Sequence, residues 1–300
     1  MNKVNVLMAT YNGEQFLQEQ IDSILRQRDV SIELLARDDG STDGTVAILS
    51  DYQDRNALHY LSDSKRLGPA LAFLRLLKLS SEQADYYAFS DQDDWWEEDK
   101  LSVAVSRLKE YGEQPALYFC RTQLADRNLH PLPSPPLSPL LTFGESLIYE
   151  FIPGCTMVMN RRLRDIINAY TPHYLPMHDV WIYSVALSVG AQIEYDDTPH
   201  ILYRQHGNNT IGQGYSRWHE WKRRWERFRS SEHSRSRRAQ EILTGYSRMM
   251  PAENASLLQS FIEGKTSLTK RLRLALDKRL RCANPTTQRL FWLNLLTNSY

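Results

Sequence analysis

Cysteine is scarce in this 300-residue chain, with only Cys120, Cys155 and Cys282. An odd count without metal-type spacing argues against a disulfide scaffold and for a reducing compartment. No window approaches the roughly 20 apolar residues that a membrane span requires. A signal-peptide pattern is absent too, because Met1-Asn2-Lys3-Val4 runs straight into a strand-like segment. The expected location is cytoplasmic, with peripheral contact at the inner face of the membrane. The loop after the first apolar run has one Gly and no Lys or Arg, unlike the basic Gly-rich cradle a nucleotidyltransferase uses for a triphosphate.

Net charge is also absent, with 36 basic and 36 acidic residues, but the balance is uneven. Residues 1–214 carry 18 Lys/Arg against 29 Asp/Glu, and residues 215–300 carry 18 against 7. An acidic body followed by a basic tail is expected, the tail suited to nucleic acid or anionic lipid headgroups.

The first 120 residues alternate between short apolar runs and helical spacing. Apolar runs fall at Val4–Ala9, Ile32–Ala36, Leu58–Leu61, Tyr86–Ser90 and Leu117–Cys120. Between them Phe16, Ile21, Ile24 and Leu25 recur at helical spacing, and helices are expected over 43–53, 68–79 and 96–111. Ser41 or Thr42 can cap the helix over 43–53, with Asp43 near its positive end. Such alternation predicts an α/β fold with a mostly parallel sheet and helices on both faces. Residues 131–139, rich in proline, are expected to be a loop. Beyond it come an apolar run at Thr156–Met159, helices from about Arg161 and around Val180–Val189, and strands near 191–195 and 200–204. After Gly214 the pattern turns helical and basic, with Trp218, Trp221 and Trp225 on one stripe. That stripe reads as helix packing on the body, or as a membrane-interface or nucleic-acid surface.

In parallel sheets, ligands sit beyond the carboxyl ends of the strands. Three motifs fall there: Thr10-Tyr11-Asn12-Gly13, Asp38-Asp39-Gly40-Ser41 and Asp91-Gln92-Asp93-Asp94. Carboxylates at a buried strand end repel unless a proton or cation neutralises them. A hard divalent ion that also touches a diphosphate fits, since it prefers oxygen ligands. Each motif has a plainer reading as a turn or βα loop. Asp179, placed just before a helix in Met177-His178-Asp179-Val180, reads as an N-cap or a general base. His206, in Tyr203-Arg204-Gln205-His206-Gly207-Asn208-Asn209, reads as an ordinary polar residue, a metal ligand or a phosphate donor.

Taken in order, Ala9 to Gly13, Asp38 to Thr45 and Ser90 to Asp94 resemble glycosyltransferase family 2, with its GT-A fold. His178-Asp179 and Gln205 to Asn209 resemble later signatures of its rhamnosyltransferase-like bacterial surface-polysaccharide members. The resemblance covers about residues 3–212 as one GT-A domain, leaving 213–300 as a basic helical extension. It implies inverting transfer of a sugar from a nucleoside-diphosphate sugar, with Mg2+ or Mn2+ as cofactor. Thr10, Tyr11 and Asp39 would hold the nucleoside and Asp91 the donor ribose. Asp93 and His206 would serve the metal, and Asp179 would be the base. The ending points first to dTDP-rhamnose, with a UDP-hexose as the alternative donor, and to a lipid-linked saccharide acceptor of surface-polysaccharide synthesis. Two departures stand out. Gly68 to Phe73 lacks the Asn many members carry, and His178 replaces the Glu that often precedes the catalytic Asp.

Inversion needs one in-line displacement at the anomeric carbon, so the acceptor hydroxyl and the leaving diphosphate demand separate groups. Rival classes are a sugar-nucleotide synthase, a non-catalytic nucleotide-sugar binder and a nucleic-acid-binding protein. Retention of two metal acids and a candidate base favours catalysis and makes nucleic acid the weakest partner.

Overall fold

The computed structural model describes residues 1–206 and 234–300, apart from 64, 135, 137, 150 and 151. Trp218, Trp221, Trp225, Gly207 to Asn209 and the expected boundary at 212/213 lie outside the described residues.

A seven-stranded sheet has the spatial order β3-β2-β1-β4-β8-β6-β9. Its strands are β1 (Asn2–Thr10), β2 (Val30–Asp38), β3 (His59–Ser62), β4 (Tyr86–Ser90), β6 (Ala116–Cys120), β8 (Val158–Asn160) and β9 (Gln192–Asp196). Neighbours pair in parallel except at β8, which runs antiparallel to both β4 and β6. Period-two alternation divides the core between the two faces. Leu7, Tyr87 and Phe89 pack with α3 (Pro69–Leu79), α6 (Arg161–Asn168) and α7 (His178–Ser188). Val6, Met8 and Ala88 pack with α1 (Leu17–Leu25), α2 (Thr45–Asp54) and α4 (Lys100–Lys109). The four-residue helix α5 (Phe143–Ser146) precedes the β8 region.

A second sheet has the order β5-β10-β7. It joins β5 (Trp95–Trp96), β7 (Gln123–Ala125) and β10 (Ile201–Arg204). The expected helix over 96–111 therefore starts only at Lys100, because Trp95 and Trp96 pair with Leu202 and Ile201.

Two further helix starts differ from expectation. Helix α2 begins at Thr45, and neither Ser41 nor Thr42 caps it. The Ser41 hydroxyl donates to Asp38 and accepts from the Asn12 N–H, while Thr42 donates to the Asn12 Oδ1. Asp43 instead accepts from the Thr45 N–H at 3.1 Å, as a carboxylate at the positive helix end should. Helix α7 begins at His178 with Met177 as its extended N-cap, so Asp179 lies inside the first turn rather than before it.

The C-terminal region is helical, as expected, across α8 (Ser234–Tyr246), α9 (Ala252–Glu263), α10 (Leu268–Leu276) and α11 (Pro285–Thr297). It shares the core on the α7 side of the sheet. Tyr246 lies 6.0 Å from Trp181, ring to ring, and its hydroxyl donates to the Ile167 carbonyl. Buried Glu145 accepts from the Ala283 N–H at 2.8 Å and from the Leu140 N–H at 2.6 Å.

Candidate active site at the carboxyl edge of the sheet

Parallel register brings the three N-terminal motifs to one edge. Thr10 pairs with Asp38, and Met8 pairs with Ser90. Thr10 is buried, and its hydroxyl donates to Asp38 at 3.2 Å. Asp38 also accepts from the N–H groups of Gly40 and Ser41, so it shapes its own loop. Its neighbour Asp39 faces the next loop. Asp39 accepts from the N–H groups of Leu67 and Gly68, each at 2.7 Å, and pairs with buried Arg37. Burial alone would raise its pKa, but these donors outweigh burial and hold it below the ordinary carboxylate range. Arg37 extends the clamp to Asp63 and the Lys65 carbonyl, both at 2.8 Å.

Tyr11 is 36% exposed, and the Arg66 guanidinium sits 3.8 Å from its ring centre. Gln92 clasps the Tyr11 backbone from both sides, accepting at 2.8 Å and donating at 3.0 Å. A side chain at Gly13 would drive its Cβ to 2.2 Å from the Gln92 Oε1. A larger residue there would have to displace the Gln92 amide from the Tyr11 backbone.

The second sheet supplies the other wall. His206 lies two residues past β10, and its Nε2 is 2.9 Å from the Asp93 Oδ2. Arg204, the last residue of β10, is buried. Its Nε donates to the Asp93 carbonyl at 2.8 Å, its backbone N–H to Asp94 at 3.2 Å, and its Nη2 to Glu19 at 2.6 Å. The Arg204 guanidinium also lies 4.4 Å from the Phe16 ring centre, and Phe16 touches the His206 ring at 5.0 Å.

Asp91 is pushed up to about 7, first by burial and then by the charges of Asp93 and Asp179. Carboxylates from two distant parts of the chain thus both act on Asp91. Asp179 is buried and accepts from the Val180 N–H at 2.7 Å. Its neighbour His178 lies on Phe73, 4.0 Å between ring centres, with neither ring nitrogen hydrogen-bonded. Burial pushes His178 down to about 3, so the ring is neutral. Gly154 makes room for it, since a Cβ there would come within 2.5 Å of the His178 Nε2.

The tightest trio of donor atoms is a different one: Asp91, Asp94 and Cys155, all within 4.8 Å of one another. Asp94 is fully buried and held well above the carboxylate range by burial and then by Asp93 and Asp91. The Cys155 thiol is raised as well, by burial first. The soft sulfur donor of this trio is ill-suited to Mg2+ or Mn2+. Asp91, Asp93 and His206 offer hard oxygens and an imidazole, a donor set that suits a hard divalent cation. Buried Lys100 lies 3.4 Å from the Trp96 ring centre, pushed down to about 8 by burial.

All seven residues singled out in the sequence thus fall at or beside this edge. Thr10, Tyr11 and Asp39 form one side, while Asp91, Asp93, Asp179 and His206 converge on the other. Sequence reasoning carries Gln92, Asp94 and Arg204 inside its motifs without a role of their own and misses Cys155. Arg204 was detectable as a charge at the end of an apolar run; nothing in the sequence marks Cys155.

The family model described as "Glycosyl transferase family 2" matches residues 5–167. A dTDP-rhamnosyl transferase, RfbG of Shigella flexneri, is 33% identical over 226 residues, 70% of this chain and 75% of that protein. Among solved structures, S. aureus TarS in complex with UDP-GlcNAc superposes with a TM-score of 0.61 at 18% identity, over 99% of this chain and 80% of that one. The mannosyltransferase PcManGT from Pyrobaculum calidifontis, in complex with GDP-Man and Mn2+, gives 0.50 at 16% identity, over 99% and 80%. The fold is that of the GT-A glycosyltransferases, and with the family model spanning more than half its length, this chain belongs to glycosyltransferase family 2, whose members are nucleotide-sugar glycosyltransferases.

Proposed function

We propose that this glycosyltransferase moves L-rhamnose from dTDP-rhamnose, with inversion, to a hydroxyl of a lipid-linked saccharide in surface-polysaccharide synthesis. The rhamnosyl relative supports the donor. The observation that carries the mechanism is the convergence of Asp91, Asp93, His206 and Asp179 on one point of the sheet edge. In this reading residues 1–212 form the transferase domain and 213–300 a helical extension that makes peripheral membrane contact.

Thr10, Tyr11 and Asp39 hold the nucleoside. The Tyr11 ring offers a stacking face for the base, and Asp39, fixed by the 63–68 loop, presents a charged acceptor to a base N–H or ribose hydroxyl. Asp91 accepts from the donor ribose. Asp93 and His206, with Asp91 beside them, would hold a divalent ion. Such an ion, when bound, neutralises the charge that gathers on the departing diphosphate. Arg204 keeps Asp93 in place through its carbonyl, so the ion's carboxylate does not swing with the loop. Asp179 takes the proton from the acceptor hydroxyl as that oxygen attacks the anomeric carbon, a contribution of about 10²–10⁴-fold. His178 supplies no second charge there. Its neutral ring packs on Phe73 beside Asp179.

The test is a donor panel. The protein is incubated with dTDP-rhamnose, UDP-hexoses and GDP-mannose, with and without chelator, and free nucleoside diphosphate is measured. Release from dTDP-rhamnose alone, abolished by chelator, is expected. Release from a UDP-hexose alone would replace the donor, and release undiminished by chelator would remove the ion.

A further inference from the structure

Helices α10 and α11 turn leucine outward. On α10, Leu268, Leu272 and Leu276 recur every fourth residue and form one exposed stripe, with Leu276 78% exposed. On α11, Leu290, Leu293 and Leu296 recur every third residue, with Trp292 beside them and Leu296 56% exposed. These side chains are not overflow from the core. The inner faces are separately filled by Leu274, Phe291 and Leu295, all buried. Among the described residues, seven of the fifteen exposed large apolar side chains fall between 268 and 296. Apolar surface concentrated in this way marks a contact rather than scatter.

The charge around this surface has one sign. Residues 264–300 hold eight Lys/Arg and a single acid, Asp277. Asp277 is engaged by Arg279 at 2.7 Å. Lys270 is likewise satisfied by Glu263. Arg273, Lys278 and Arg289 are exposed and have no carboxylate partner among the described residues. Arg281 lies 5.8 Å from the exposed Trp292 ring, so a cation sits at the margin of the apolar face. A protein partner with an apolar patch would match the leucines but leave these cations unmatched. A bilayer rich in anionic headgroups matches both, with phosphates for the cations and the acyl boundary for the leucines. No helix among the described residues is long and apolar enough to cross a membrane.

We infer that the outer faces of α10 and α11 dock this enzyme on an anionic lipid surface, the leucines entering the headgroup boundary and Arg273, Lys278, Arg281 and Arg289 meeting lipid phosphates. This deepens the lipid-linked acceptor reading and rests on it only for its purpose. Vesicle binding requires no donor and no turnover, so either reading can fail alone.

The experiment is co-sedimentation of the full chain with phosphatidylcholine vesicles and with vesicles that also contain phosphatidylglycerol. Binding to the mixed vesicles, weakened by salt, is expected. Leu272→Glu/Leu276→Glu should lower vesicle affinity by about tenfold or more, because it removes two apolar side chains from the headgroup boundary. Arg273→Gln/Lys278→Gln/Arg289→Gln should lower it in phosphatidylglycerol vesicles and not in phosphatidylcholine. Leu276→Ser, at the most exposed of these positions, serves if the double variant fails to fold, and it should weaken binding in the same direction. Each variant should release nucleoside diphosphate from donor as the wild type does. The inference is overturned if the wild type binds neither vesicle, or if folded leucine variants bind as well as the wild type. It is also overturned if these leucines instead hold two copies of the chain together in sedimentation velocity, or if the same cations retain RNA while vesicles are ignored.

Discussion

The carboxyl edge of the sheet and the outer faces of α10 and α11 differ in what each gathers. At the sheet edge, Asp91, Asp93 and Asp179 crowd charge until Asp91 is pushed up to about 7. On the helices, cations outnumber acids eight to one over residues 264–300, and leucines face outward. The first region withdraws charge from water, so a proton or a small ligand of opposite charge balances it. The second exposes apolar area, so only a broad surface can cover it. A buried electrostatic site depends on distances of a few ångströms, whereas a docking face depends on area and tolerates individual changes.

If that contrast is right, single substitutions should act sharply at the sheet edge and weakly on the helices. The largest effect is expected for Asp179→Asn, which should lower turnover by about 10²–10⁴-fold. Donor affinity, measured by calorimetry, should stay within about twofold. Donor affinity collapsing in a folded variant would move Asp179 into the donor site. Next, Asp93→Ala and His206→Ala should each weaken divalent-ion-dependent donor binding by about 10–100-fold. An unchanged ion titration in both would remove them from the cation's surroundings. Tyr11→Ala should weaken donor binding by about tenfold, a stacked base being worth about 1–3 kcal/mol. An unchanged dissociation constant would mean that the base does not stack on that ring.

The last prediction concerns His178 and sharpens the comparison by removing the ligands altogether. Its pKa is about 3 in the folded chain, against the ordinary value of 6.5. The unfolded chain therefore binds the extra proton as pH falls below about 6.5, and the folded chain does not. This group's contribution to stability is present above pH 6.5 and is lost between about pH 6.5 and 3, at up to ~1.4 kcal/mol per pH unit. In urea melts, His178→Phe should lose stability less steeply than the wild type between pH 6.5 and 4.5. Parallel curves would show that the imidazole is not buried as a neutral ring.

Much of the sheet edge was legible because each parallel βα unit announces itself as an apolar run followed by a turn. Thr10, Asp39 and Asp91 each stand where such a run stops, and the register places them side by side. The second sheet was not legible. Strands of two to four residues have too little length for periodicity to appear, and β5 and β7 are held by pairing with distant β10. Cys155 reaches the site because β8 inserts antiparallel between β4 and β6, a pairing that no local pattern encodes. Local chemistry misled at α2 for a stated reason: Ser41 and Thr42 have good capping side chains, but Asp38 and Asn12 had already engaged them. The contribution of the Trp218/Trp221/Trp225 stripe lies outside the described residues, and the outward leucines of α10 and α11 had not been singled out, since helical spacing alone does not tell an outer face from an inner one.

The central claim is that acids at the sheet edge, with a divalent ion, secure the donor's diphosphate while Asp179 serves the acceptor. The most direct measurement is calorimetric titration of dTDP into the wild type, Asp93→Ala and Asp179→Asn, each with Mn2+ and with chelator. The account predicts that Mn2+ strengthens dTDP binding in the wild type and Asp179→Asn alike, and that Asp93→Ala loses this gain. Equal dTDP affinity with and without Mn2+ in the wild type would contradict it.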